Sequence, residues 1–136
     1  MSQRDTRRRG ALIAIGGAED KENEMRILSR VLARAPVAPA EVAVITTASS
    51  IPDEVYTGYR DAFGRLGAKA VHHLDIGTRE AAANAAHVDL LGRCGVVFVS
   101  GGDQLRLTHV LGGSPVLQAI RDHLGAGGVV AGTSAG

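Results

Sequence analysis

The chain is poor in several residue types that define particular classes of protein. It has no tryptophan, two phenylalanines, two tyrosines and one cysteine, Cys94, among 136 residues. A single cysteine can neither form an internal disulfide nor complete a cysteine-based zinc site, and the histidines lack metal-ligand spacing such as H-E-x-x-H. The core must therefore be built from aliphatic side chains, and no metal or cofactor is expected.

Long apolar stretches and a strong net charge are also missing. No segment approaches the roughly 18 consecutive apolar residues of a membrane-spanning helix, and the formal net charge is +1, so neither a membrane nor a polyanion is an expected partner. Arg4 and Arg7 to Arg9 cluster at the start. We interpret residues 1–10 as a disordered tail without nucleic-acid contact, because no stacking aromatics accompany the arginines. No signal pattern follows, so a cytoplasmic location is expected.

Glycine is abundant, at 18 residues, and short apolar runs alternate with helical patterns. Predicted strands cover residues 11–15, 41–46, 69–74, 95–99 and 128–131. Predicted helices cover residues 19–35, 52–67, 79–91, 104–111 and 116–124. This alternation predicts a single α/β domain over residues 11–136, with a doubly wound, mostly parallel sheet and helices on both faces. In such sheets, ligands bind at the carboxyl ends of the strands.

The last five residues, Gly132 to Gly136, fit the pattern G-x-S-x-G and directly follow the last predicted strand. A sharp strand-to-helix turn with small flanking residues lifts a serine hydroxyl above a sheet. Ser134 would then be a nucleophile, and the N–H of Ala135 would face the developing oxyanion. Glycine and serine are also common turn residues, so on this pattern alone a turn without a catalytic role is an equal alternative.

A second glycine-rich loop, Gly101-Gly102-Asp103-Gln104, follows the fourth predicted strand. Adjacent glycines let backbone N–H groups approach a ligand closely, so Gly102 is a candidate for a second oxyanion donor. Asp103 is also placed to cap the following helix. Capping does not exclude a role of Asp103 and Gln104 in the same site.

The remaining patterns are weaker functional signals. Residues 16–20 do not fit the G-x-G-x-x-G fingerprint, so dinucleotide binding is not predicted. The five histidines are expected on the surface or on helix faces, with one of His72 and His73 facing inward from a strand. A non-catalytic α/β module that holds a phosphate or nucleotide on its glycine-rich loops remains an alternative.

Four segments together resemble the cyanophycinase family. Residues 15–21, 45–52, 100–105 and 131–136 match, in order, that family's opening signature, second-strand loop, G-G-D-Q motif and nucleophile segment. The resemblance implies a class I glutamine amidotransferase-like, flavodoxin-like fold. It also implies a serine exopeptidase that hydrolyses cyanophycin, an aspartate polymer with arginine branches, to β-aspartyl-arginine dipeptides.

The resemblance also assigns roles to residues. It implies that Ser134 is the nucleophile and that Gly102 and Ala135 form the oxyanion hole. Gln104, together with Asp103, becomes a substrate-binding residue. Aspartyl dipeptidases share the fold and the serine, but the Asp103-Gln104 pair points to the cyanophycinases.

The sequence departs from the family pattern at its end. In cyanophycinases the catalytic histidine and its acidic partner follow the nucleophile, whereas nothing follows Gly136 here. We therefore expect an N-terminal portion of the hydrolytic domain, incomplete at the C-terminus, that is catalytically silent by itself. We also expect its last strand to be exposed and prone to pair with another chain, which makes a homodimer a candidate assembly.

Overall fold

The computed structural model describes residues 10–16 and 21–133. The strands are β1 (Ala11–Ile15), β2 (Glu41–Ile45), β3 (Ala70–Leu74), β4 (Val96–Val99) and β5 (Val129–Thr133). The α-helices are α1 (Lys21–Ala33), α2 (Pro52–Arg65), α3 (Ala85–Arg93), α4 (Gln104–Leu111) and α5 (Pro115–Gly125), and a 3-10 turn covers Ala81–Ala83. The predicted alternation of strands and helices is confirmed.

All five strands pair in parallel, in the order β1-β5-β4-β2-β3. The predicted α/β class with a parallel sheet is therefore confirmed. The expectation that the last strand is an exposed edge is wrong, because β5 pairs with β1 on one side and with β4 on the other. The crossover after β4 returns the chain to the gap beside β1, so the edges among the described strands are β1 and β3.

Each face of the sheet carries its own hydrophobic core. On one face α1 and α2 cover the strands, and Leu28 and Phe63 are buried in a cluster with Phe98. On the other face the 3-10 turn and α3, α4 and α5 form the cover, with Leu91 and Val116 among the fully buried side chains. Both clusters are dominated by aliphatic residues, as the scarcity of aromatics requires.

Several helix boundaries differ from the sequence-based expectation, and two of the differences have a local cause in a capping side chain. The helix expected over residues 79–91 is divided at Asn84, because the Asn84 side chain accepts a hydrogen bond from the Ala86 N–H (2.8 Å) and caps a new helix. The last helix begins at Pro115 rather than at residue 116. Its cap is Ser114, whose hydroxyl accepts from the Leu117 N–H (3.1 Å).

The last strand also differs from its expected bounds. It was expected to end at Ala131, yet β5 continues through Gly132 and Thr133, which pair in register with Ala14 and Ile15 of β1. The sequence analysis places these residues in a turn because they open the G-x-S-x-G pattern of a sharp strand-to-helix turn. Pairing on both sides overrides that preference, so the regular strand reaches the residue before Ser134.

The start of the chain is described from Gly10 onward, and residues 1–9 of the expected tail lie outside the described residues. The Gly10 N–H donates to the Leu124 carbonyl (3.0 Å), and the Ala11 N–H donates to the Gly128 carbonyl (3.2 Å). β1 is therefore anchored to the turn that precedes β5. Among the helices in the described ranges, none has both the length and the apolarity needed to cross a membrane.

Candidate active site

The segments that follow β2 and β4 meet the end of β5 at the carboxyl edge of the sheet. The Gly101 N–H donates to Thr133 Oγ1 (2.6 Å), which ties the loop after β4 to the end of β5. The Asp103 N–H donates to the Ala48 carbonyl (2.8 Å), which ties the same loop to the segment after β2. The glycine-rich loop is therefore held on both sides, next to the residue that precedes Ser134.

Gly102 occupies a position that a side chain could not share. Its φ of +147° lies in the region that favours glycine, and a Cβ there would overlap the Ala48 carbonyl. Within residues 10–16 and 21–133, the Gly102 N–H has no hydrogen-bond acceptor. The backbone at Gly102 therefore packs directly against the Ala48 carbonyl, and the predicted role of its N–H as an oxyanion donor stays a prediction.

Asp103 and Gln104 begin α4 and serve different purposes. The Asp103 carboxylate accepts from the N–H groups of Leu105 (2.9 Å) and Arg106 (3.1 Å), so it caps the helix as the sequence indicated. Gln104 is exposed and lines a groove beside the glycine-rich loop. Substrate binding by these two residues stays a prediction.

The predicted nucleophile Ser134 and the predicted oxyanion donor Ala135 lie outside the described residues, as do residues 17–20 of the opening motif. Thr133 is half-buried and ends β5 at the carboxyl edge. The structure therefore locates the strand that leads into Ser134. The roles of Ser134 and Ala135 stay predictions.

Two cavities flank the glycine-rich loop, one on each side of the sheet. The first, which we call the acidic cleft, has a volume of about 480 Å³ and is lined by Glu24, Glu54, Tyr59, Gly101 and Thr133, among others. Burial raises the pKa of Tyr59, and the nearby Glu24 carboxylate raises it further. The Tyr59 hydroxyl is therefore neutral near pH 7, and the two carboxylates supply the charge of the cleft.

The second cavity, which we call the β1–β5 groove, has a volume of about 390 Å³. Apolar residues dominate its lining, among them Leu12, Ala14, Val99, Leu107, Val130 and Gly132. Gln104 lies at its rim next to the glycine-rich loop. The acidic cleft and the β1–β5 groove share Gly101, Gly102 and Thr133, so they meet at the end of β5.

The polar segment after β2 is largely buried. Thr46 Oγ1 lies 2.7 Å from His73 Nε2, and the His73 ring stacks on Tyr56 with centroids 4.5 Å apart. Ser49 Oγ accepts from the Ile51 N–H (3.0 Å). Thr47 Oγ1 is buried without a hydrogen-bond partner in the described part of the chain. Most of this segment therefore supports the loop before α2, and it presents one unpaired hydroxyl.

All five histidines lie within the described residues, and none of them lines the acidic cleft or the β1–β5 groove. His72 and His73 lie on β3, three strand spacings or about 14 Å from β5. His123 is buried, against the expectation of a surface position, because α5 packs over the start of β5 and the His123 Nε2 lies 3.0 Å from the Val129 carbonyl. The five histidines therefore contribute nothing to the lining of these two cavities.

The His72 and His73 pair was expected to divide between an inward and an outward position. Both side chains are half-buried, and each has a polar partner on the neighbouring strand β2 or directly after it. His72 Nε2 lies 2.8 Å from Glu41 Oε1, and His73 reaches Thr46. Within the described ranges, no group of three or more histidine, cysteine, aspartate or glutamate side chains could hold a metal ion.

Sequence reasoning missed Glu24 and Tyr59 as lining residues of the acidic cleft. Glu24 lies in the first turn of α1, where an acidic residue is favoured by the helix dipole alone. Tyr59 follows a helical apolar pattern in α2 and packs its ring against Phe98 (centroids 4.4 Å apart). Neither position carries a signal that separates a cavity residue from a structural one.

The parallel sheet, the helices on both faces and the loops gathered at the carboxyl edge define an α/β protein with a class I glutamine amidotransferase-like fold. A family model for "Peptidase family S51" matches residues 12–136. The chain belongs to peptidase family S51, which confirms the resemblance inferred from its motifs.

Named relatives agree with this assignment. The chain is 40% identical over 129 residues to a cyanophycinase from Synechococcus elongatus and 40% identical over 127 residues to one from Nostoc sp.. It covers 40% and 43% of these relatives' lengths, while 94% and 93% of this chain is matched. The crystal structure of a peptidase from an acI-B1 actinobacterium superposes with a TM-score of 0.82 at 27% identity. That superposition covers 94% of this chain and 55% of the other.

Proposed function

We propose that this chain provides the nucleophile side of a serine peptidase active site, with Ser134 as the nucleophile. The observation that carries the proposal is the hydrogen bond from the Gly101 N–H to Thr133 Oγ1 (2.6 Å), which fixes the glycine-rich loop beside the end of β5. An acyl group on Ser134 would then lie between the N–H groups of Gly102 and Ala135. Preorganised backbone donors of this kind stabilise the oxyanion of a tetrahedral intermediate.

The proposed reaction has two steps. The Ser134 hydroxyl attacks a carbonyl carbon, its proton passes to a base, the amine leaves with a proton, and water then hydrolyses the acyl-enzyme. Because none of the five histidines lines the two cavities at the carboxyl edge, we assign the base to polypeptide beyond these 136 residues. We therefore expect the isolated chain to show no hydrolysis above background.

The proposed substrate is cyanophycin, and the proposed product is the β-aspartyl-arginine dipeptide. Glu24, Glu54 and Thr133 line the same cavity, the acidic cleft, and carboxylates suit a planar guanidinium. Gln104 lies on the other side of the glycine-rich loop, where an amide can both donate to and accept from a peptide or carboxylate group. These lining residues favour an arginine-bearing substrate over a dipeptide without a cationic side chain. A cytoplasmic location rests only on the sequence argument.

The test uses a chimera in which residues 1–136 of this chain replace the matched segment of the Synechococcus elongatus cyanophycinase. We expect the chimera to release β-aspartyl-arginine from cyanophycin and to react with a serine-directed phosphonate at Ser134. The Ser134→Ala variant is the matched control and should lose both properties. Labelling at another residue would refute the nucleophile assignment. Hydrolysis of an α-aspartyl dipeptide but not of cyanophycin would assign the chain to the aspartyl dipeptidases instead.

A further inference from the structure

Two exposed glycines, Gly58 and Gly64, lie within α2. Glycine lowers the stability of a helix relative to alanine, because its backbone loses more conformational freedom on folding. It is required in a helix only where the backbone needs a positive φ or where a Cβ would collide with a neighbour. Neither glycine has a positive φ, and a Cβ built at either position comes within 4 Å of no described atom beyond its chain neighbours and its own helix backbone.

The two glycines differ in what they face. Gly58 lines the acidic cleft, as do Glu54 and Tyr59 of the same helix. Gly64 is not among the lining residues of the cleft in the described ranges. Residues four apart on a helix lie one above the other, so Gly58 stands directly beside Glu54. The open space above Gly58 is therefore part of the cleft itself.

A side chain at position 58 would fill that space. Side chains of a helix lean towards its N-terminus, so a leucine at this position would lie over Glu54. Neither Glu24 nor Glu54 has an ion pair within residues 10–16 and 21–133, and no lysine or arginine of those ranges lines the cleft. The missing side chain thus leaves an unpaired carboxylate open to a cation that enters the cleft.

We propose that Gly58 is a specificity-determining residue, because its missing side chain provides the room that the long cationic branch of the substrate occupies. The inference rests on the proposed function, which brings a guanidinium into the acidic cleft. An arginine branch carries an apolar methylene stem before its planar guanidinium, so it needs an unobstructed path as well as a carboxylate. Gly58 leaves the path open, Val55 lines the same cleft with apolar surface, and Glu54 lies one helical turn before Gly58.

This role of Gly58 concerns space and not charge. Removal of a carboxylate from the cleft weakens the attraction for a cation, whereas a larger residue at position 58 excludes a long branch whatever its charge. A branch as short as alanine has no methylene stem to place above Gly58. Substrates that differ only in branch length therefore separate the two effects.

The experiment compares two aspartate trimers, one with arginine and one with alanine on every side-chain carboxyl, in the chimera that carries the Ser134→Ala change. Calorimetry measures their binding without turnover. We expect Gly58→Leu to weaken binding of the arginine trimer at least about tenfold and binding of the alanine trimer by less than about twofold. In the active chimera, the same change should raise KM for the arginine trimer and leave kcat within about twofold.

Gly64→Leu is the matched control, because it makes the same change in the same helix outside the cleft, and both trimers should bind within about twofold of the parent. Both leucine variants should unfold at a urea concentration no lower than the parent, since leucine favours a helix over glycine. Absence of binding by the arginine trimer, equal weakening of both trimers, or equal effects of the two variants overturns the proposal. Failure of the proposed function is a separate outcome, in which the Ser134→Ala chimera still hydrolyses the arginine trimer and KM then reports the effect of Gly58→Leu.

Discussion

The two ends of the sheet differ in how they use their side chains. At the amino end of the strands lies a cavity of about 560 Å³. Its lining contains six titratable residues, namely Glu41, Lys69, Arg93, Cys94, Asp122 and His123. At the carboxyl end, the glycine-rich loop and the acidic cleft together carry three carboxylates, and one of them, Asp103, caps α4. A larger and more ionisable cavity is therefore not the site that the family motifs surround.

The amino-end groups have structural partners instead. The His123 ring is buried and bonded to the start of β5, and Glu41 is bonded to His72. Burial and, to a smaller extent, the Glu41 carboxylate raise the pKa of the Cys94 thiol to about 11, although the Arg93 charge opposes the shift. The difference between the two ends teaches that titratable side chains alone locate a site poorly. They indicate a site only where a neighbouring backbone group is left without a hydrogen-bond partner. Four predictions test that difference.

The largest effect is expected at Gly102, at the carboxyl end. Gly102→Ala forces a side chain into a φ of +147° and into the Ala48 carbonyl. We expect it to lower the free energy of unfolding by about 2–4 kcal/mol. The measurement is urea denaturation followed by circular dichroism. Gly64→Ala is the control, because this exposed position in α2 has open space for a Cβ, and alanine there should add up to about 1 kcal/mol. Similar effects of both changes would mean that the Gly102 backbone is not held as described.

Features of the fold and the site could be predicted from the sequence where they depend on a local pattern of residues. Features that depend on contacts between distant segments could not. The helix cap at Asp103 follows from a residue type at a fixed position and is found in the structure, whereas the oxyanion role of Gly102 stays a prediction. The central place of β5 depends on a crossover between distant strands, which leaves no local pattern. The burial of His123 likewise depends on where α5 settles. Ser134 was found from its motif alone, and its role stays a prediction.

The second prediction concerns substrate contacts and uses the active chimera. Gln104→Ala should lower kcat/KM for cyanophycin by roughly tenfold, since an unpaired polar group of the substrate is then left in the site. Glu54→Ala should cost less, about threefold, because Glu24 remains in the acidic cleft to hold the guanidinium. Initial rates of dipeptide release measure both. Equal or reversed effects would count against the Gln104 assignment.

The third prediction tests, by thiol labelling of Cys94, whether the cavity at the amino end of the strands is closed to reagents. With its pKa raised from 9.0 to about 11, the Cys94 thiol has about 100-fold less thiolate near pH 8 than an ordinary cysteine. We expect a disulfide reagent such as dithionitrobenzoate to label the folded chain at least about 100-fold more slowly than the urea-unfolded chain. The raised pKa also means that the unfolded state loses its proton first as the pH rises, so stability should fall above about pH 9. Rapid labelling of the folded chain would show that this end is open.

The smallest effect is expected at Glu41, where an ion pair lies beside the amino-end cavity. The hydrogen bond from His72 lowers the pKa of Glu41 below its ordinary value of 4.5, partial burial opposes that shift, and the charges of Arg93 and Lys69 add to it. A carboxylate whose folded pKa is depressed stabilises the fold above about pH 4.5, and this contribution is lost as the pH falls through the folded pKa. Glu41→Gln should therefore be less stable than the original chain at pH 7, and the difference should be smaller at pH 3. Urea titrations of the two chains at both pH values measure it. A difference that grows as the pH falls would mean that His72 does not stabilise the charged Glu41 carboxylate. The structural role assigned to Glu41 would then be wrong.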